Sequence, residues 1–349
     1  MKAVNFLSTT LLTLGIVMIS LDGFACAACG CSLSTEAAIM DSSPKTGWNI
    51  SIQYDYINQN ELRVGTSSIS PSQVAAINNN GGKQEVEHLT VNRYLTMGIG
   101  YSPNPDWSLK LLVPYIDRSH ETYGTATSDQ LIPDQISGVS ATGLGDIKFI
   151  TSFQGFLANH NLGIQMGVKL PTGDYGGPNA SGTGTVGRNP VAFTSGPNAG
   201  QPLDTSLQPG TGSTDLILGL YYHQPISKDF TAFVNVQFQA AVMHELDQPG
   251  QDYRPGNQET VSIGLRYEAN PDITPQFQVN LNHRSQDQGA LADTPDSVGT
   301  VAYLSPGISL SVVKNLQLFG FIQLPIYKNL DGYQLFPHLT VSSGIAYSF

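Results

Sequence analysis

Phe277-Gln278-Val279-Asn280-Leu281-Asn282 alternates an apolar with a polar side chain at every step, and Val261-Ser262-Ile263-Gly264-Leu265-Arg266-Tyr267 repeats the pattern. Successive side chains of an extended chain point to opposite faces, so this period of two predicts strands with one apolar and one wet face. The same period runs through Trp48 to Tyr56, Trp107 to Tyr115, Leu162 to Leu170, Phe230 to Val242, Leu316 to Ile326 and Leu339 to Phe349. No segment sustains the 3.6-residue spacing of a helix.

Working outward, such segments fall near residues 46–57, 86–101, 106–117, 143–155, 160–172, 211–224, 228–243, 258–269, 273–286, 299–312, 314–327 and 335–349. Each is long enough for a tilted strand to cross a bilayer, which takes about 9–11 residues. The connections sort into short turns (around 103–105, 157–159, 227–228, 270–272 and 314) and longer loops (58–85, 118–142, 173–210, 244–257, 287–298 and 328–334), in strict alternation. Short turns at one end and long loops at the other are the layout of an outer-membrane barrel, and within lipid a sheet must close to satisfy its backbone. The expected fold is all-β: a transmembrane antiparallel up-and-down β-barrel of about twelve strands over residues 46–349.

Composition agrees. The 349 residues include 36 Gly and 15 Tyr, only 12% are charged, and the net charge is −11. A disordered acidic chain would carry more charge, and a helical membrane protein would show repeated apolar runs of about 18 residues. The absence of any Lys/Arg cluster argues against a nucleic-acid partner.

Lys2, the apolar stretch Leu11 to Leu21 and the small-residue site Ala25-Cys26-Ala27 read as a secretory signal peptide over 1–27. Its removal deletes Lys2 and Asp22, one charge of each sign, so the mature chain keeps the acidity. Residues 28–45 then form an N-terminal segment on the periplasmic side, with a short helix expected at Ser34 to Ile39, able to plug the lumen. Cys29 and Cys31 suit a soft metal ion such as Cu(I) or Zn(II), the one cofactor the sequence suggests. Lipidation and an inert oxidised tail are the other readings of the same cysteines.

Trp48, Trp107, Phe153, Tyr222, Phe230, Tyr267, Tyr347 and Phe349 fall on the apolar parity at the turn end, where they form an interfacial girdle. The closing stretch Leu339 to Phe349 resembles the C-terminal strand of bacterial outer-membrane proteins, whose terminal aromatic is read by the barrel assembly machinery. Arg93 stands on an otherwise apolar parity, so a bulge or an inward placement is expected there.

With the apolar parity on lipid, the lumen receives Asp55, Lys110, Asp146, Lys148, Lys169, Asp215, Arg266 and Arg284. Strand directions place Asp146, Lys148, Lys169 and Asp215 together in the upper barrel, on three adjacent strands. They are the candidate constriction, with Asp55, Lys110, Arg266 and Arg284 along the path. Cross-strand ion pairs that stiffen a modest lumen are the alternative reading. The stretch 173–210, rich in Gly, Pro, Asn and Thr, reads as a surface loop able to fold inward over the lumen.

Gly143-Leu144-Gly145-Asp146-Ile147-Lys148-Phe149, Lys169-Leu170-Pro171-Thr172-Gly173-Asp174 and Gly212-Ser213-Thr214-Asp215-Leu216 are similar to the G-x-G-D and L-P-T-G-D signatures of the outer-membrane barrel family named for the meta-pathway of phenol degradation. The chain more distantly resembles the outer-membrane long-chain fatty acid transporters. The architecture is shared over most of the mature chain, the motifs over three strands. The resemblance implies a barrel in the cell outer membrane for passive uptake or efflux of small hydrophobic or aromatic solutes. Two further readings are a metal-ion-handling or metalloprotein-docking barrel using the N-terminal cysteines, and a surface adhesin. An enzyme is not expected: the seven His form no recognisable constellation and no G-x-S-x-G occurs.

Overall fold

The computed structural model describes residues 24–25, 46–79, 84–124, 134–181 and 184–349. The expected leader 1–27, apart from Phe24–Ala25, and the segment 28–45 with Cys29 and Cys31 therefore lie outside the described residues. The principal strands are β1 (Gly47–Gly65), β2 (Val86–Asn104), β3 (Trp107–Tyr123), β4 (Ile136–Leu144), β5 (Ile147–Phe153), β6 (Leu162–Leu170), β7 (Ser213–Pro225), β8 (Phe230–His244), β9 (Gln258–Tyr267), β10 (Ile273–Arg284), β11 (Gly299–Val313) and β12 (Leu316–Ser348).

These strands pair in chain order, and β12 returns to pair with β1, which closes the sheet. Eleven of them make the ring; β4 and the short Ser67–Ser68 strand are bonded outside it, to β3 and β1. Every pairing around the ring is antiparallel. A closed ring of antiparallel neighbours needs an even number of strands, so one of the eleven must reverse direction within itself. That strand is β12: straight, its 33 residues would span about 110 Å against a hydrocarbon core of about 30 Å. Its first limb pairs with β11 up to Leu330, its second pairs with β1 from Leu330 onward, and Gly332 between them takes a positive φ of 67°. The two limbs are the separate strands expected at 314–327 and 335–349.

The wall is apolar outside and polar inside. Ile50, Ile52, Leu95, Met97, Met166, Leu218, Ile263, Phe277, Ile322 and Leu324 are exposed, whereas Asp55, Gln59, Lys169, Asp215, Gln278 and Ser342 are buried. At the turn end the girdle is formed by exposed Trp48, Trp107, Phe230, Tyr267, Tyr347 and Phe349, with ring contacts Trp48–Tyr101, Trp107–Phe153 and Phe230–Tyr267 at 4.8, 4.7 and 5.0 Å.

Two expectations are corrected. Arg93 faces outward without a bulge, directly opposite Asp117, and its guanidinium approaches that carboxylate to 3.6 Å. The pair stands one step beyond the exposed Leu95, Met97 and Tyr101, at the loop-side edge of the apolar belt, where an opposed carboxylate answers the charge. The walls of the expected loops 58–85 and 118–142 are also strand in part, because β1, β3 and β4 keep pairing above the belt. The first of those loops contains α1 (Pro71–Asn78), announced by a capping box in which the Ser70 hydroxyl accepts from the Gln73 N–H while Gln73 Oε1 accepts from the Ser70 N–H.

Candidate functional site

The interior parity of β6 and β7, with the residue just before β5, brings Asp146, Lys169 and Asp215 together. Lys169 on β6 is directly opposite Asp215 on β7, and its ammonium lies 3.1 Å from Asp215 and 3.2 Å from Asp146. It also donates to Ser213 Oγ at 3.0 Å and to Thr211 Oγ1. Lys148 on β5 is opposite Lys169, and the like charges are kept apart: Lys148 donates to Gln239 Oε1 at 3.0 Å, while Gln239 donates to Asp215 at 2.6 Å. All four residues expected at the constriction thus belong to one hydrogen-bonded network.

The same network holds the base of the 173–210 loop. Asp146 accepts from the Gly173 N–H at 3.1 Å and the Thr211 N–H at 3.0 Å, so one carboxylate binds both ends of the loop. The ladder breaks at Gly145-Asp146, between β4 and β5, and Thr172 mends it by accepting from the Ile147 N–H at 2.8 Å and donating to the Gly145 carbonyl at 2.9 Å. This explains the two signatures in physical terms: the Asp clasps the loop, and the Thr patches the broken strand.

The remaining lumen residues are not gathered with these. Asp55 accepts from Ser342 Oγ at 2.5 Å and from Gln53 at 2.9 Å. Arg266 lies 5.1 Å from the centre of the Phe233 ring and donates to Gln276. Arg284 makes a two-pronged pair with Asp287 at 2.7 and 2.8 Å. Lys110 faces a vestibule of about 510 Å³ at the turn end, lined among others by Asn49, Ser51, Ser152, Gln154 and Gln165. Aromatic side chains are interspersed with these polar groups: Tyr221 on β7, Phe233 on β8 and Phe319 and Phe321 on β12 are buried with their rings over Gly163, Gly264, Gly344 and Gly307. A Cβ at any of those glycines would meet the ring, so glycine there lets the aromatic lie flat against the wall.

At the loop end the barrel is stoppered. Phe193, Leu203 and Leu207 of the 173–210 loop bury themselves with Val74 and Ala75 of α1 and with Leu62, Val139, Ala141 and Leu335 of the wall. The loop folds inward as its composition allows. Inward-facing Arg118 fixes it, donating to the Leu207 carbonyl, to Asn92 Oδ1 at 2.5 Å and to Tyr94 Oη at 2.8 Å. Asn92 in turn donates to Gln59, and Gln59 to the Leu335 carbonyl, which carries the chain of bonds across to β12.

A second polar group has no counterpart among the expected site residues. Glu85, Glu87, Asp204, Asp293 and Asp296 line one small cavity with Leu207 and Tyr333, and no Lys or Arg is among its lining residues. Burial first, and then the neighbouring carboxylates, push the Asp293 carboxyl up to about 10. Burial likewise raises Asp296 to about 7 and Asp204 to about 6, with Glu85 adding to both. The residues lie far apart in sequence and mostly in loops, so neither period nor motif could have assembled them.

No family model matches the chain, the phenol-degradation barrels included, and no curated protein matches it by sequence. Solved structures do. An outer-membrane channel from Pseudomonas putida F1 is similar with a TM-score of 0.61 at 12% identity, over 89% of this chain and 98% of that one. The CymD monoaromatic hydrocarbon channel follows at 0.45 and 10% identity (91% and 93% covered), and a FadL homologue of Pseudomonas aeruginosa at 0.41 and 10% (87% and 90% covered). The first likeness establishes the fold as that of an outer-membrane β-barrel.

Proposed function

We propose that the protein is an outer-membrane channel through which small hydrophobic or aromatic solutes pass down their gradient. The observation that carries this reading is a closed barrel, apolar outside, with a vestibule of about 510 Å³ at its turn end and an inward-folded loop at the other. The exposed belt suits lipid, because a comparable apolar surface in water would be an aggregation hazard. The inward aromatics Tyr221, Phe233, Phe319 and Phe321, spread over β7, β8 and β12, offer an organic solute apolar surface among the polar groups of the lumen. The clasp of Asp146, Lys169 and Asp215 positions the loop that narrows the path, so these residues act as gate supports as well as lumen charges.

The test is single-channel recording of the refolded protein in a planar bilayer. The wild type is expected to pass a small current that grows in steps when the loop is shortened within 189–206. Toluene added from the turn side should block that current, whereas glucose should not. Block by glucose alone would replace the aromatic solute with a polar one, and absence of current in both forms would remove the channel reading.

A further inference from the structure

The cavity beneath the stopper has a feature beyond its acidity. His120 on β3 is 1% exposed, and its imidazole faces Glu85 and Glu87. One ligand atom from each of Glu85, Glu87 and His120 lies within 4.8 Å of the others, a separation that one cation can span. The imidazole is already turned toward the two carboxylates, because Nδ1 is bonded to Thr90 Oγ1 at 2.8 Å, as the second ring nitrogen of a metal-binding histidine usually is to an oxygen. The other ring nitrogen, Nε2, stands 3.4 Å from Glu85 Oε1, so the imidazole and this carboxylate already face each other. Glu87 is held from the other side by the Leu335 N–H at 2.9 Å, which fixes one oxygen. The adjoining cavity, about 10 Å³, has room for one water-sized occupant.

We propose that Glu85, Glu87 and His120 bind one divalent cation at the loop end of the barrel, with Asp204, Asp293 and Asp296 supplying the surrounding negative field. Two carboxylates with one imidazole make a donor set of intermediate hardness, which suits Mn²⁺ or Zn²⁺. The ligands come from the start of β2 and from β3, and the cation's charge would offset that of Asp204, the N-cap of the 3₁₀ turn Thr205–Leu207, and so steady the stopper. Binding can be measured on the folded barrel in detergent without any conductance, so this site stands or falls apart from the channel reading.

Mn²⁺ is the probe, because its six-line EPR spectrum fades when the ion is bound. The folded protein, identified by its heat-dependent gel mobility, should take up one Mn²⁺ per chain that Zn²⁺ displaces. Glu87→Gln and His120→Gln should each weaken binding by at least about ten-fold. Glu121→Gln, which removes an exposed carboxylate paired with His88, should leave it unchanged. If Glu87→Gln does not fold, Glu85→Gln takes its place. A free-ion spectrum that the wild type leaves intact overturns the proposal, as does binding that the glutamate and His120 substitutions leave within about two-fold. The second result would mean that the histidine and Glu85 form an ordinary ion pair.

Discussion

The two buried charge groups of the upper barrel are constructed on opposite plans. Around Lys169 the charges alternate, and each carboxylate meets an ammonium, an amide or a hydroxyl. Around Tyr333 five carboxylates meet across one cavity, without a lysine or arginine lining it. The first group carries its own counter-charges and depends little on what the solution contains. The second is complete only with protons or a cation taken from outside, which makes the stopper sensitive to its surroundings while the wall is not.

Breaking the balanced group should have the largest effect. Lys169→Met leaves Asp146 and Asp215 buried without a cation and should cost about 3–5 kcal/mol in urea unfolding of the reconstituted barrel. Adding Asp146→Asn and Asp215→Asn to it should recover most of that loss. If the single change is silent, the network does not stabilise the barrel.

The acidic group should instead show a pH dependence. Asp204, Asp296 and Asp293 hold their protons to about 6, 7 and 10, above the ordinary carboxylate range. Between that range and these values the folded cage binds more protons than the unfolded chain. Its contribution is therefore full in acid and declines as pH rises through 6 and 7 toward 10. With a chelator present, protease cleavage within 173–210 should accelerate over that window, and Asp296→Asn should flatten the curve. Cleavage that is equally slow from pH 5 to 9 would argue against a strained cage.

Smaller effects follow from the elements that flank the two groups. Arg118→Ala removes the donor to the Leu207 carbonyl and should loosen the loop by about 1–3 kcal/mol, seen as faster amide exchange there and longer open times in bilayer recordings. Arg93→Leu should change barrel stability by less than about 1 kcal/mol, because its partner Asp117 is half-exposed and the site lies at the edge of the belt.

The difference between the groups also explains what is legible in the sequence. Lys148, Lys169 and Asp215 lie on strands and Asp146 one residue before β5 on the same parity as Lys148, so period and direction set face and height and their meeting can be read without coordinates. Clasping of the loop by Asp146 cannot, since it depends on main-chain N–H groups that carry no sequence signal. Arg93 shows the limit from another side: its parity is plain from the pattern, but the register that puts Asp117 opposite is not, and without that partner a bulge is the natural way to avoid an unpaired charge. The cage draws on positions 85, 87, 204, 293 and 296, joined by loop packing alone.

The reversal in β12 bears on how the molecule is made. Its second limb seals the ring by pairing Ser348 with Asn49 and Tyr347 with Ile50, partners at opposite ends of the chain. That seam has the highest sequence separation in the barrel and the largest loop-closure entropy, so every other hairpin can form before it. Until the last residues arrive, β1 and the first limb of β12 each present an open edge of unpaired backbone, a template for pairing with another chain. Synthesis stopped short of Leu339 would leave a curved open sheet, and the final eleven residues decide whether it becomes a barrel or an aggregate.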